Sequence, residues 1–218
     1  MILFAVMTNN LLREWHLRIE FVDDTTALEI LPRNGNSLLN VAVNDIHKFS
    51  IEHNMKLNPK KCKEMLINFM QNNNFALRPI VLDNNTVERV TTYKLLGIII
   101  SNDLKRNEHI HYLSKKASKR LYSLGILKKV VVNRGGIVKV YLTTITPILE
   151  YGVQVWQDIP EFLSNKLESI KKRALHIIYP CHSYLDTLNT TNLSSLKERR
   201  TQLCCKYIQK MSQAEYSI

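Results

Sequence analysis

The sequence predicts an α+β module over residues 1–104, followed by an all-helical domain over residues 105–218. Runs with strand and helix patterns alternate in the first part, whereas apolar residues recur at helical spacing throughout the second. Hydrophobic residues make up 45% of the 218 residues and charged residues 22%, which is typical of a folded protein rather than a disordered one. This length is enough for one or two domains with real cores.

Two short strands around a tight turn are predicted over residues 19–30, with Asp23 and Asp24 in the turn. A loop then leads into a helix that ends before Pro59. The apolar residues of this helix recur at helical spacing: Leu38, Leu39, Ala42, Ile46 and Phe49. The acidic pair is therefore expected at the tip of a hairpin.

Four further strands are predicted before residue 104. Residues 64–69 suit one strand, and residues 80–82 and 86–87 suit two that flank a turn. Residues 93–100 are almost wholly apolar, so a single well-buried strand is expected there. These elements complete the predicted module of strands and helices.

The second half is predicted to be a bundle of helices. One helix has a buried stripe at helical spacing: Ile110, Leu113, Ala117, Leu121 and Leu124. Further helices fit residues 136–150, 161–178 and 194–212. Pro160 suits a position just inside a helix start, and Pro147 predicts a kink or break.

The chain is strongly basic, and the charge is unevenly placed. It has 30 Lys and Arg against 19 Asp and Glu, a formal charge of +11. Ten basic residues and one acidic residue lie between Lys105 and Lys139, so nine of the eleven excess charges lie in that segment. Four of the basic residues occupy the face opposite the apolar stripe: Lys115, Lys116, Lys119 and Arg120. This pattern indicates an anionic partner such as nucleic acid; a solvated helix face is the alternative.

The cysteines and the apolar segments exclude several classes of protein. The four cysteines have neither the paired spacing of a zinc site nor the pattern of a disulfide framework, which favours a reducing, intracellular setting. The apolar residues 1–7 are too few to span a membrane and lack the basic residues that open a signal peptide. No membrane partner is expected, and the abrupt apolar start predicts that the beginning of a helix is missing.

The adjacent acids Asp23 and Asp24 are candidate metal ligands. Hard divalent cations take oxygen ligands, and phosphoryl transfer by two metal ions needs carboxylates that hold the ions about 4 Å apart. Adjacent carboxylates at a hairpin tip suit that chemistry. An ordinary turn is the alternative, because Asp is favoured in turns.

Three segments carry, in this order, a resemblance to a known family. Phe21-Val22-Asp23-Asp24 resembles an aromatic-x-Asp-Asp catalytic motif. Residues 57–62, Leu-Asn-Pro-Lys-Lys-Cys, resemble a Leu-Asn-x-x-Lys-Thr segment, and residues 93–97, Tyr-Lys-Leu-Leu-Gly, resemble a primer-grip strand. Together they resemble the reverse transcriptases of non-LTR, LINE-type retrotransposons, in particular the jockey-like group.

The resemblance continues through the helical half. It covers residues 107–110, 116–121, 147–152 and 172–175 and Trp156, and thus nearly the whole chain. Arg106 departs from the pattern, because a Trp usually precedes the Asn-x-His-Ile turn in this family. The loss of that ring is expected to loosen the domain junction.

The resemblance implies a fold and a catalytic centre. Residues 1–104 would form the C-terminal part of a polymerase palm, an antiparallel sheet with packed helices, and residues 105–218 a helical thumb or connection region. Asp23 and Asp24 would bind Mg²⁺ or Mn²⁺, and Lys61 would protonate the leaving pyrophosphate as general acid. A solvated basic turn is the alternative reading of Lys61.

The resemblance also implies where nucleic acid binds. Tyr93, Leu96 and Gly97 would position the primer end, although a buried sheet edge explains the same residues. The basic face at residues 115–120 would hold an RNA template and a DNA primer, or an RNA–DNA hybrid, through phosphate contacts that are blind to sequence.

The family's palm has a further catalytic Asp, a Gly-rich motif and fingers, which the resemblance assigns to segments that this sequence does not contain. The parent is therefore expected to be an RNA-directed DNA polymerase, and this chain an inactive fragment unless a partner supplies the missing half. Two alternatives are a nucleic-acid-binding protein without enzymatic activity and the functionless product of a decayed retroelement. Nuclear or cytoplasmic residence follows from the resemblance alone.

Overall fold

The computed structural model describes residues 11–12, 15, 17–21, 24–32, 35–69, 77–130 and 132–215. The strands in this part of the chain are β1 Arg18–Phe21, β2 Asp24–Ala27, β3 Lys63–Glu64, β4 Val81–Leu82, β5 Asn85–Thr86, β6 Glu88–Arg89, β7 Thr92–Leu95 and β8 Ile98–Ser101. The helices are α1 Leu39–Glu52, α2 Asn107–Lys129, α3 Arg134–Thr144, α4 Thr146–Glu150, α5 Val153–Trp156, α6 Glu161–Ile178, α7 Tyr184–Thr191 and α8 Leu196–Glu215. Strands and one helix are therefore mixed before residue 104, and helices alone are described after it, as the sequence predicts.

The chain divides into two compact units, Met1–Tyr93 and Lys94–Ile218. The first unit contains β1 to β6 and α1, and the second contains β8 and the helices from α2 onwards. The division falls before residue 104, where the sequence predicts the domain boundary, because residues 94–104 belong with the helices that follow them.

The hairpin predicted at the acidic pair is confirmed. Strands β1 and β2 are antiparallel, and Phe21 pairs with Asp24 beside the connection between them. Val22 and Asp23 lie outside the described residues. Of the acidic pair, the structure thus describes Asp24, which is exposed and is the first residue of β2, paired with Phe21, rather than a turn residue as predicted.

Helix α1 confirms the predicted helix and contributes to two small apolar clusters. One cluster consists of Leu11, Leu12 and Ala42, with Ile46 and Phe49 packed against it. The other consists of Ile80, Leu82 and Val87, with Leu39 and Val43 of the helix packed against it. Leu38, predicted on the apolar face, is instead the exposed residue that precedes the helix.

The predicted strand over residues 64–69 is wrong in its extent. Only β3 pairs, and it runs parallel to β6 rather than antiparallel. Strand β6 is itself two residues long, so it offers β3 no partner for a longer ladder. The predicted turn between strands near residue 84 is confirmed, because Asp83 and Asn84 both have positive φ between β4 and β5, as a two-residue hairpin turn requires.

Residues 93–100 form a hairpin, so the prediction of one buried strand is wrong. Strands β7 and β8 pair with each other on either side of Leu96 and Gly97, whose φ angles are +46° and +87°. Such angles reverse the chain in two residues, and Gly adopts them without the steric cost that a Cβ brings. The apolar residues of this segment gave no sign of the turn, which Gly97 allows.

The predicted helices of the second half are largely confirmed. The helix expected over residues 136–150 is divided into α3 and α4 at Ile145, next to Pro147, as a break at that proline predicts. Helix α6 has the predicted bounds, although Pro160 precedes its first turn rather than lying inside it. Helix α7 is not predicted from the sequence; it begins where the Ser183 hydroxyl accepts a hydrogen bond from the Asp186 N–H.

The core of the second unit lies among α2, α3, α4, α5, α6 and α8. Its large, fully buried side chains include Ile110 and Leu124 from α2, Tyr141 from α3 and Trp156 from α5. None of the described helices combines the length and the apolar character that crossing a membrane requires.

Candidate nucleic-acid interface

Helix α2 exposes the basic face that the sequence predicts. The stripe of Ile110, Leu113, Ala117, Leu121 and Leu124 is buried in the core. The side chains on the other side of the helix are exposed, among them Lys115, Lys116, Lys119 and Arg120. The orientation follows from the helical repeat, because the apolar stripe fixes which side faces the core and leaves these cations in solvent.

These four cations, here called the basic face, have no acidic partners. In the part of the chain that the structure describes, every ion pair involves other residues. Glu108 is the one acidic residue of α2, and it lies in the first turn, where the helix dipole favours a negative charge. The basic face therefore presents uncompensated positive charge.

Tyr112 extends the positive surface. Lys94 Nζ donates a hydrogen bond to Tyr112 Oη at 3.1 Å, and it lies 5.0 Å from the centre of the ring. Lys116 Nζ lies 5.8 Å from the same centre. The hydrogen bond from Lys94 is the largest cause of a lowered Tyr112 pKa, and the charges of Lys116 and Lys94 lower that pKa further. Lys94 thereby joins the charged surface of α2.

The predicted metal site rests on residues of which the structure describes one. Asp24 is exposed, and Asp23 lies outside the described residues. Among the residues that are described, no group of three or more His, Cys, Asp or Glu side chains is placed to hold a metal ion. One carboxylate is fewer than the ligands that Mg²⁺ takes, so metal binding stays a prediction.

Lys61 lies in a turn that follows α1. Its N–H donates to the Asn58 carbonyl oxygen at 3.0 Å, and its side chain is exposed. No hydrogen bond or ion pair joins Lys61 to Asp24 in the described structure. Its neighbour Lys63 is engaged, with Nζ 2.5 Å from a carboxylate oxygen of Glu88. The general-acid role of Lys61 also stays a prediction.

The predicted primer-grip residues lie in the β7–β8 hairpin. Tyr93 is partly exposed on β7, and Leu96 and Gly97 form the turn. Tyr151 Oη donates to the Leu96 carbonyl oxygen at 2.7 Å, and a Cβ at position 97 would lie 3.0 Å from the Tyr151 ring. A Cβ on Gly152 would lie 2.8 Å from the Ile98 side chain. Two segments that carry the resemblance, Leu96-Gly97 and Tyr151-Gly152, are therefore packed on each other within the second unit.

His109 and Trp156 occupy the centre of the helical unit, where the sequence gives them no role beyond the resemblance. The Ile99 N–H donates to His109 Nδ1 at 3.2 Å, and the two rings lie 5.8 Å apart. Trp156 Nε1 donates to the Tyr151 carbonyl oxygen at 2.9 Å. Burial, followed by the charge of Arg106, lowers the pKa of His109 to about 4. His109 is therefore a neutral structural residue that joins β8 to α2.

A polar network that the sequence does not predict joins α6 to α7 and to the start of α8. Glu168 accepts hydrogen bonds from Tyr184 Oη and, at 2.9 Å, from the Leu196 N–H. Lys171 donates to the Ser194 carbonyl oxygen, and burial is the largest cause of its lowered pKa, against which Glu168 acts. The available signal was Lys171 itself, a charge beside Ile170 on the apolar side of α6.

Comparison with known proteins gives one family of enzymes. Over 134 residues, the chain is 25% identical to the probable RNA-directed DNA polymerase from transposon BS of Drosophila melanogaster. The similarity supports a relationship to reverse transcriptases. The alignment covers 59% of this chain and 15% of that polymerase, so the chain spans a small part of its relative. No family model and no solved structure matches the chain.

Proposed function

We propose that this chain is part of the reverse transcriptase of a non-LTR, jockey-like retrotransposon, and that its helical unit binds the nucleic acid. Residues 1–104 would be the C-terminal part of the palm, and residues 105–218 the thumb or connection region. The ligand would be an RNA template with a DNA primer, or an RNA–DNA hybrid. The similarity to a transposon polymerase and the resemblance of the motifs support this assignment.

The basic face of α2 is the observation that carries the proposal. Its four cations are exposed, lack acidic partners in the described structure and lie on one helix. Charges placed in this way attract the phosphate backbone without reading the base sequence. A polymerase that moves along its template needs contacts of this kind.

Binding through this face is tested by its salt dependence. We expect a variant with Lys115→Gln, Lys116→Gln, Lys119→Gln and Arg120→Gln to bind a primer–template duplex more weakly. The slope of log K against log salt should shrink by about 3 to 3.6, because each of the four phosphate contacts contributes about 0.7 to 0.9. Fluorescence anisotropy of a labelled duplex from 50 to 200 mM salt measures the slope.

A control variant neutralises Lys197, Lys206 and Lys210, which are exposed on α8. It should change the slope much less, because those charges lie on another helix. An equal change of slope per neutralised charge in the two variants would show that net charge alone drives binding, and the proposed role of the basic face would be wrong.

The proposed chemistry of the parent enzyme is nucleotidyl transfer by two metal ions. Asp23 and Asp24 would bind Mg²⁺ or Mn²⁺, and Lys61 would act as general acid. We expect these 218 residues by themselves not to extend a primer, because the resemblance assigns a further metal-binding Asp and the nucleotide pocket to other segments. Primer extension on a homopolymer RNA template, with an Asp23→Ala and Asp24→Ala variant beside it, measures this.

The outcome of that assay also separates a second candidate, a nucleic-acid-binding protein without enzymatic activity, which the basic face equally favours. Extension that the double substitution abolishes would identify an enzyme and contradict the expected inactivity. Binding of primer–template should be unchanged by the same substitution, since Asp24 lies in the other unit from the basic face.

A further inference from the structure

A shallow groove lies between α2 and α6. Its α2 side includes Tyr122, Gly125, Ile126 and Lys129, which follow each other at helical spacing, and Arg173 lines it from α6. None of the residues that line it is acidic. Lys129 and Arg173 are exposed, and neither has an ion-pair partner in the described part of the chain. The groove therefore attracts anions.

The groove continues the basic face along α2. Lys115, Lys119, Tyr122, Ile126 and Lys129 are spaced by three or four residues, so they lie on one side of the helix. Two cations thus precede the aromatic ring and one follows it. A strand held at Lys115 and Lys119 can pass into the groove without leaving the helix.

Tyr122 is unusually accessible for an aromatic residue. Its relative exposure is 75%, whereas the neighbouring Leu121 is buried in the core. Beside it, a Cβ built on Gly125 would meet no atom within 4 Å, so there is open space next to the ring. An exposed ring flanked by cations and open space can take the face of a planar, anionic ligand.

We propose that this groove binds single-stranded nucleic acid, with one base stacked on Tyr122 and phosphates near Lys119, Lys129 and Arg173. Proteins that bind single strands combine a positive groove with aromatic rings, because every base offers a π-face to stack on. In a duplex the neighbouring base pairs cover those faces, so the ring favours an unpaired segment. The inference rests on the proposed function and specifies its ligand as unpaired nucleotides beside the basic face.

Stacking is tested with single strands that contain 2-aminopurine, whose fluorescence falls when it stacks. RNA and DNA strands of one sequence are compared at a fixed, low salt concentration. Tyr122→Ala is expected to weaken binding by between about 5-fold and about 150-fold, the range for losing one stacked base. It should also abolish the fall in fluorescence. Tyr122→Phe should preserve both the affinity and the fall in fluorescence, because phenylalanine keeps the ring. Weaker binding of either the RNA or the DNA strand by Tyr122→Ala supports the proposal. The strand that is affected more identifies the preferred sugar.

Substitutions at Gly125 change the space in the groove without removing the Tyr122 ring. Gly125→Leu places a bulky side chain in the open space, whereas Gly125→Ala adds one methyl group there. Both substitutions raise the helix propensity of α2, so lost binding cannot come from a melted helix. Leucine is expected to weaken binding of the single strand, and alanine is expected to leave it unchanged.

Three results would overturn the inference. Equal weakening by Tyr207→Ala, at a partly exposed tyrosine of α8, would show that the ring on α2 has no special role. Equal weakening of duplex and single strand by Tyr122→Ala would rule out stacking on unpaired bases. Displacement of the strand by polyglutamate as readily as by an oligonucleotide of equal charge would show that the groove selects charge alone.

The same experiments separate this inference from the proposed function. If neutralising the basic face weakens binding while Tyr122→Ala and Gly125→Leu have no effect, the proposed function stands and the groove is not the site. If none of the three variants weakens binding, both are wrong.

Discussion

Lowering the pH from 7 to 5 is expected to destabilise the helical unit through His109 at the start of α2. This side chain is 0% exposed, and its Nδ1 accepts a hydrogen bond from the Ile99 N–H, which requires the neutral ring to carry its proton on Nε2. Within the described structure Nε2 has no hydrogen-bond partner. A second proton on this ring would have to be buried at Nδ1, in place of the hydrogen bond it accepts.

The size of the effect follows from the pKa. Burial lowers the pKa of His109 to about 4 in the folded chain, against about 6.5 for an unfolded chain. Between these values the unfolded state binds a proton that the folded state does not, so stability is complete above the unfolded pKa and is lost as the pH falls towards the folded one. The linkage relation gives a loss of about 2 kcal/mol in the free energy of unfolding between pH 7 and pH 5.

Urea unfolding at pH 7, 6 and 5, followed by tryptophan fluorescence, measures this loss. His109→Gln should lower stability at pH 7 but remove about 2 kcal/mol of its pH dependence, because glutamine does not titrate. His111→Gln is the control, since His111 is an exposed residue of the same helix. If the wild type and His109→Gln lose the same free energy between pH 7 and pH 5, the account of His109 is wrong.

Three further changes test the packing of the second unit by urea unfolding. Gly97→Ala should cost about 1–2 kcal/mol, because φ at this position is +87° and the new Cβ would lie 3.0 Å from the Tyr151 ring. Gly125→Ala is the opposite case and should stabilise by up to about 1 kcal/mol, since its Cβ meets nothing within 4 Å; destabilisation there would contradict the open groove. Glu168→Gln should cost about 1–3 kcal/mol, because Tyr184 Oη and the Leu196 N–H bond to different oxygens of the carboxylate, and glutamine replaces one of these oxygens with an NH2 group that cannot accept. An unchanged midpoint would mean that this network is not formed.

The helical half was predictable because its apolar residues recur at a clear helical period and prolines mark its helix boundaries. The stripe from Ile110 to Leu124 fixes both the existence of α2 and the side that faces the core. Pro147 and Pro160 mark a break and a start, and both lie within two residues of where the helices change. Short strands are harder, because two to four residues carry too little pattern to separate a strand from a turn. Residues 93–100 show this difficulty, because their apolar run predicts one strand where the structure has a hairpin.

The sequence by itself determined the charge asymmetry, the order of the motifs and the basic side of α2, because these depend on residue types and on a helical repeat that local spacing reveals. Only the tertiary structure decided what the remaining motif residues touch. It packs Gly97 against Tyr151, buries His109 beside Trp156 and leaves Tyr122 exposed next to Arg173. These contacts join residues far apart in the chain, and no local pattern encodes such a distance.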